Sequence, residues 1–150
     1  MKHSEKAVEL FMKGANCSQS VFAAFSDVTG IEEKAALRLS SSFGGGISRL
    51  RETCGACLGM CLAAGAVFGY DNIESHEAKK EHYAKIQGLV KEFVNKNGSY
   101  TCRVILGETE NENTLVPEER TAEYYGKRRC CIECIRSAAE ILDKYIEENT

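Results

Sequence analysis

The feature that most constrains the fold is the most apolar run of the chain, from Cys54 to Tyr70, which opens with three cysteines, Cys54, Cys57 and Cys61, within eight residues. The run has the length of a short membrane span, but its glycines, alanines and cysteines make it only mildly hydrophobic. We therefore predict a buried core helix with Thr53 as its N-cap. Successive helical residues lie about 100° apart, so the three cysteines fall within an arc of about 60° on one face.

The remainder of the chain also favours helices. It has one proline and no tryptophan, and its long Ala/Glu/Lys/Leu-rich stretches contrast with the short, turn-punctuated strands of an all-β protein. We predict an all-α fold, a single domain over residues 1–150, built as a bundle of about six helices around the buried helix at residues 54–70. The predicted helices cover residues 3–13, 17–28, 31–42, 54–70, 71–97 and 117–150, and Asn16 is the predicted N-cap of the second.

Two stretches are predicted as loops. Gly44-Gly45-Gly46 is costly in backbone entropy, so it suits a place where the chain turns with positive φ or lies against another group. A phosphate-binding loop is the functional alternative. Residues 47–50 supply neither the Gly-Lys-Ser/Thr of a P-loop nor a preceding strand, which disfavours a nucleotide site. The polar residues 108–113 form the second predicted loop.

Charge and cysteine content restrict the compartment and the partners. A net charge of −3 with interleaved acidic and basic residues gives no field suited to nucleic acid or to an anionic membrane surface. Glu5 and Glu9 interrupt what would be the apolar core of a secretory signal. We expect a cytoplasmic protein without membrane insertion. A reducing cytosol does not maintain structural disulfides, so eight cysteines there favour metal binding or thiol redox chemistry.

Thiol redox chemistry is the first reading of the cysteines. Cys54 and Cys57 have the Cys-x-x-Cys spacing at a helix start, where the helix dipole activates the first thiol while the second lies one turn on. The upstream Arg49 and Arg51 would add to that activation, and Glu52 would oppose it. The usual host of this motif is a βαβ fold, and no strand is predicted here.

Metal binding is the second reading. The sequence offers more than the four thiolates that tetrahedral Zn²⁺ or an iron–sulfur cluster requires: the pairs Cys54/Cys57 and Cys131/Cys134, together with Cys17 and Cys102. Ligation rich in thiolate and poor in imidazole favours an iron–sulfur cluster over catalytic zinc. Structural zinc stays open. Any one of these cysteines could also be a free buried thiol, although that explains all eight poorly.

Several segments resemble a redox-active family named after its cysteine pattern, C_GCAxxG_C_C. The resemblance covers most of the chain. It is carried by Asn16-Cys17-Ser18-Gln19-Ser20-Val21, Phe43-Gly44-Gly45-Gly46, Cys54-Gly55-Ala56-Cys57-Leu58-Gly59, Cys102-Arg103, Leu106-Gly107, and Cys131 with Ile135, Ala138 and Ala139.

Carried over by position, the resemblance implies that the four characteristic cysteines are Cys17, Cys54, Cys102 and Cys131. The extra cysteines, which lie outside the pattern, are Cys57, Cys61, Cys130 and Cys134. A similar domain occurs in split-Soret cytochromes, which are dimeric and hold an iron centre by cysteines beside their haems. This chain has no Cys-x-x-Cys-His haem attachment site, so the resemblance implies only the iron–sulfur part.

Three functional hypotheses follow. The leading one is a homodimeric redox protein in which Cys17, Cys54, Cys102 and Cys131 hold an iron–sulfur cluster that exchanges electrons with a partner protein or a small-molecule donor or acceptor. The second is a metal-free thiol/disulfide oxidoreductase or redox sensor, in which Cys54 attacks and Cys57 or another of the four resolves. The third is a structural zinc or other metal-binding module without redox activity.

Overall fold

A computed structural model describes residues 1–107 and 115–150, and the predicted loop at 108–113 lies outside them. The described residues are helical and contain no strand beyond one isolated antiparallel bridge, between Thr53 and Thr101. The all-α prediction is therefore confirmed. The helices are α1 His3–Met12, α2 Cys17–Ala24, α3 Ser26–Thr29, α4 Glu33–Ser40, α5 Gly44–Ile47, α6 Gly55–Phe68, α7 His76–Asn97, α8 Cys102–Leu106, α9 Ala122–Lys127 and α10 Arg129–Glu148, with a 3-10 turn at Ser41–Phe43.

Helix α6 is the predicted central helix, and it packs against α2, α7 and α10. Its small residues allow this close packing. A Cβ atom on Gly59 would lie 2.7 Å from the Ser18 carbonyl oxygen of α2, and one on Gly55 would lie 2.8 Å from the Phe43 carbonyl oxygen. The N-cap is Cys54 instead of the predicted Thr53. Thr53 is held in the bridge with Thr101, so the helix begins one residue later.

Two of the predicted helices are broken in the structure. The helix expected at 17–28 divides at the fully buried Phe25 into α2 and α3. The helix expected from residue 117 starts at Ala122, because the Thr121 side chain caps it by accepting a hydrogen bond from the Tyr124 amide. It then divides at Arg128, two residues after Gly126. The predicted start at 71 moves to His76, where Ser75 is the cap.

The triple glycine begins the short element α5. Gly45 and Gly46 have non-helical φ and ψ, so this segment is a left-handed turn and not a regular helix. Gly45, Gly46, Ile47, Ser48 and Arg49 all have positive φ, between 48° and 71°. For residues with a Cβ atom this conformation costs roughly 1–2 kcal/mol each, so the surrounding structure must hold the turn in place. The predicted positive-φ loop is thus present, and it lies against the segments that carry the cysteines.

The helices of residues 1–107 and 115–150 include none with the length and hydrophobicity of a membrane span.

Candidate functional site

The N-terminal ends of α2, α6, α8 and α10 surround a cavity of about 320 Å³. Cys17 is the first residue of α2, Cys102 is the first of α8, Cys54 caps α6 and Cys131 lies in the first turn of α10. All four line the cavity, and Cys134 lines it as well. The first amides of a helix lack intrahelical partners, and together with the helix dipole they favour a thiolate over a thiol. The four positions that the family resemblance implies therefore face one space from four segments of the chain.

A short extended pairing holds Cys54 and Cys102 in place. The Cys54 amide donates to the Tyr100 carbonyl oxygen over 2.7 Å, and the Cys102 amide donates to the Glu52 carbonyl oxygen over 2.6 Å. Together with the Thr53–Thr101 bridge, these bonds fix the two cysteines on adjacent stretches of backbone. The paired stretches are residues 51–54 and 100–103. Four residues are too few to show the alternating pattern of a strand, which is why the sequence did not predict the pairing.

Cys17 is placed by a capped helix start. The Asn16 side chain accepts from the Gln19 amide over 2.9 Å, and the Gln19 side chain accepts from the Asn16 amide over 3.0 Å. The two hydrogen bonds form a capping box, and Asn16 is the N-cap of α2, as predicted from the sequence. Asn16 also donates to the Ser41 carbonyl oxygen, and a Cβ on Gly44 would lie 2.1 Å from the Asn16 side chain. The glycine turn and the Cys17 helix are therefore packed directly together.

The sulfur atoms around the cavity interact in pairs. The pKa of Cys54 is lowered by a hydrogen bond with the Cys134 thiol and, against the effect of burial, by the amides of Cys57 and Ala56. The same hydrogen bond and burial raise the pKa of Cys134. The pKa of Cys131 is lowered by Cys130, but its hydrogen bond with Cys17 and its burial outweigh that effect and raise it. The pKa of Cys54 is thus shifted towards the thiolate, and those of Cys131 and Cys134 are shifted towards the neutral thiol.

Positive side chains share the cavity wall with the thiols. Arg51 is 5% exposed and donates from Nη1 to Cys102 Sγ over 4.0 Å. Arg49, Arg120 and Arg128 also line the cavity, as does the carboxylate of Glu118. The sequence indicated Arg49 and Arg51 because they precede Cys54. Arg120 and Arg128 come from a distant segment, and no local pattern signals them.

None of the eight cysteines, all of which lie in the described part of the chain, forms a disulfide. Within residues 1–107 and 115–150, no three His, Cys, Asp or Glu side chains are arranged so that they could hold one metal ion.

The chain matches one known protein family over most of its length. Residues 15–145 match the model of a family described as "Putative redox-active protein (C_GCAxxG_C_C)". The chain belongs to the C_GCAxxG_C_C family. The chain is also similar to a protein of Archaeoglobus fulgidus described as "Uncharacterized protein", with 29% identity over 94% of this chain and 93% of that protein. No solved structure matches the chain.

The extra cysteines of this C_GCAxxG_C_C protein divide into two groups. Cys134 lines the cavity, one helical turn after Cys131. Cys57, Cys61 and Cys130 are not among its lining residues. Cys57 hydrogen-bonds with Cys61 one turn further along α6, which raises the pKa of Cys57 and lowers that of Cys61. The three cysteines predicted on one face of α6 are thus split, with only Cys54 at the cavity.

Proposed function

We propose that this redox-active family member transfers electrons through an iron–sulfur cluster held in the cavity by Cys17, Cys54, Cys102 and Cys131. The observation that carries the proposal is the convergence of these four cysteines on one cavity from four separate segments of the chain. Cysteine thiolates are the usual ligands of such clusters, and these four would complete the ligand set once their side chains, which in the described residues are not arranged around one metal ion, turn towards a common centre. When bound, the cluster supplies one-electron redox chemistry.

The residues around the cavity suit a group of negative charge. Four thiolates in a buried space need compensating positive charge or hydrogen-bond donors. Arg51 is buried and donates to the sulfur of Cys102, and Arg128 lies close enough to Cys131 for the two groups to interact electrostatically. The helix-start amides beside Cys54 act in the same direction.

Hydrogen bonds of neighbouring residues position three of the four proposed ligands. Gln19 and Asn16 orient the helix start at Cys17, and the pairing of residues 51–54 with 100–103 positions Cys54 and Cys102. To act as ligands the thiols would have to lose their protons, so the Cys17–Cys131 and Cys54–Cys134 hydrogen bonds would be lost in the cluster-bound protein. Cys134 lines the same cavity but would not be one of the four ligands.

Purification without oxygen tests the proposal directly. A brown protein with charge-transfer absorption and with iron and acid-labile sulfide in similar amounts is the expected result. A colourless protein that takes up no iron and sulfide during anaerobic reconstitution would exclude the cluster. Zinc bound in stoichiometric amount after the same purification would point to the structural zinc module.

A metal-free thiol/disulfide oxidoreductase is a second candidate, favoured by the contact between Cys54 and Cys134. The Cys54 thiolate would attack a substrate disulfide, releasing one thiol and leaving a mixed disulfide on Cys54. The Cys134 thiol would then lose its proton, attack the Cys54 sulfur and release the second thiol. The substrate gains two electrons and Cys54–Cys134 becomes a disulfide. In this mechanism the resolving residue is Cys134, the thiol that hydrogen-bonds with Cys54.

The two candidates differ in a trapping experiment. If Cys54 is the attacking thiol, Cys134→Ser accumulates a mixed disulfide on Cys54 when the protein meets a small aromatic disulfide, and mass spectrometry locates it. If the cysteines hold a cluster, the anaerobically purified protein resists that reaction until the iron is removed.

The exchange partner that we propose is a redox protein or a small-molecule electron donor or acceptor. We also propose a cytoplasmic location, because a reducing compartment suits eight cysteines that form no disulfide. A homodimer is proposed from the resemblance to the split-Soret domain, and light scattering of the purified protein measures it.

A further inference from the structure

Two arginines and one carboxylate form a charged cluster at the cavity wall. Oε1 of Glu118 lies 2.9 Å from Nη2 of Arg128 and 3.7 Å from Nη2 of Arg49. All three residues line the cavity that the cysteines line. Among the described residues, the Glu118 carboxylate therefore lies between two guanidinium groups that come from distant segments, one from the left-handed turn and one from the junction of α9 and α10.

The cations are more deeply built into the fold than the anion. The side chains of Arg128 and Arg49 are 13% and 20% exposed, whereas that of Glu118 is 43% exposed. Arg128 is further held against the Tyr124 ring, 5.5 Å from its centroid, and Arg49 has φ of 71°, in the left-handed region. Glu118 lies in a non-helical stretch before α9. Of the three side chains, that of Glu118 can therefore leave the cluster with the smallest loss of packing contacts.

We propose that Arg49 and Arg128 form a carboxylate-binding subsite of the cavity, which Glu118 occupies here and from which a small organic carboxylate displaces it. Guanidinium groups recognise carboxylates through charge-assisted hydrogen bonds, and two of them on one carboxylate set its position and orientation. Cys17 and Cys131 line the same cavity, so the remainder of such a ligand lies beside the thiols. The proposal does not depend on whether the thiols hold a cluster.

Glu118→Gln tests the proposal by removing the internal competitor. The apparent affinity of a site is reduced by the fraction of molecules in which the site is open. If Glu118 occupies the subsite about nine-tenths of the time, Glu118→Gln binds succinate on the order of tenfold more tightly than wild type, and this is the result we expect. Calorimetry with the anaerobically purified full-length protein measures the affinity. Succinamide, which is neutral, should bind to neither protein.

The matched control is Glu123→Gln, which removes the same charge from an exposed residue of α9 that pairs with Lys127 and is not a lining residue of the cavity. It should leave the affinity for succinate unchanged. Combining Glu118→Gln with Arg128→Gln, or with Arg49→Gln, should abolish the gain. The proposal is overturned if Glu118→Gln binds succinate no better than Glu123→Gln, if it binds succinamide equally well, or if neither arginine substitution reduces the binding.

Discussion

The guanidinium group of Arg51 donates from Nη1 to Sγ of Cys102 over 4.0 Å, and both residues are buried. The backbone explains this contact. The Cys102 amide is bonded to the carbonyl oxygen of Glu52, and the Arg103 amide is bonded to that of Arg51, so the two residues lie on paired stretches. A cation beside a sulfur stabilises the more negative of its states, whether the sulfur is a free thiolate or a metal ligand.

Arg51→Met should lower the reduction potential of the proposed cluster. Hydrogen bonds to ligand sulfurs set cluster potentials, and loss of a bond worth about 1 kcal/mol shifts a one-electron couple by roughly 40 mV in the negative direction. Spectroelectrochemical titration of the cluster-loaded protein measures the shift. Arg103→Met is the control, because Arg103 pairs with Glu52 and is not a lining residue of the cavity. An unchanged or more positive potential in Arg51→Met would contradict the prediction.

Single substitutions should separate the four proposed ligands from the extra cysteines. We expect Cys17→Ala or Cys102→Ala to abolish cluster binding, because each removes one of the four thiolates. Cys61→Ala and Cys130→Ala should keep it largely intact, since neither residue lines the cavity. Iron and sulfide analysis after anaerobic reconstitution gives the result. Equal behaviour of all four variants would show that the assignment of ligands is wrong.

Gly46→Ala should disturb the site through Cys102. A Cβ on Gly46 would lie 2.7 Å from Cys102 Cβ and 2.7 Å from the Glu52 amide nitrogen, so the pairing between the two stretches must shift. Positive φ alone costs an alanine about 1–2 kcal/mol. Gly107→Ala isolates that cost, because Gly107 has φ of 74° and no described residue comes within 4 Å of its Cβ position.

The measurements are the free energy of unfolding in urea and the cluster content of the two variants. Gly46→Ala should lose clearly more stability than Gly107→Ala, and it alone should lose cluster. Similar losses in both variants would mean that contact with Cys102 plays no part.

Gly59→Ala and Gly65→Ala should have opposite effects on stability. Both glycines lie within α6, but a Cβ on Gly59 would press on Ser18 and Val21 of α2, whereas one on Gly65 would meet no atom of residues 1–107 and 115–150 within 4 Å. Overpacking of a core contact costs about 1–3 kcal/mol, and glycine to alanine at an open helical position gains about 0.5–1 kcal/mol. Urea unfolding under reducing conditions measures both changes. Destabilisation by Gly65→Ala would contradict this view of the helix.

Local sequence determined much of this protein. The apolar run with closely spaced small residues produces α6, and Asn16 with Gln19 produces the start of α2, because period and capping act within a few residues. The three glycines mark the left-handed turn for the same reason. The redox-active character followed from the cysteines and from the family motif around Cys54.

Only the tertiary structure decided which side chains meet. Cys57 has the Cys-x-x-Cys spacing of a partner for Cys54, yet it hydrogen-bonds with Cys61. The thiol that hydrogen-bonds with Cys54 is that of Cys134, from the last helix. Arg128 lies between α9 and α10, and Glu118 lies before α9; both line the cavity only because the chain folds back on the segments that carry Cys17 and Cys54. Such contacts join residues far apart in the chain, and they depend on helix packing that no short window of sequence encodes.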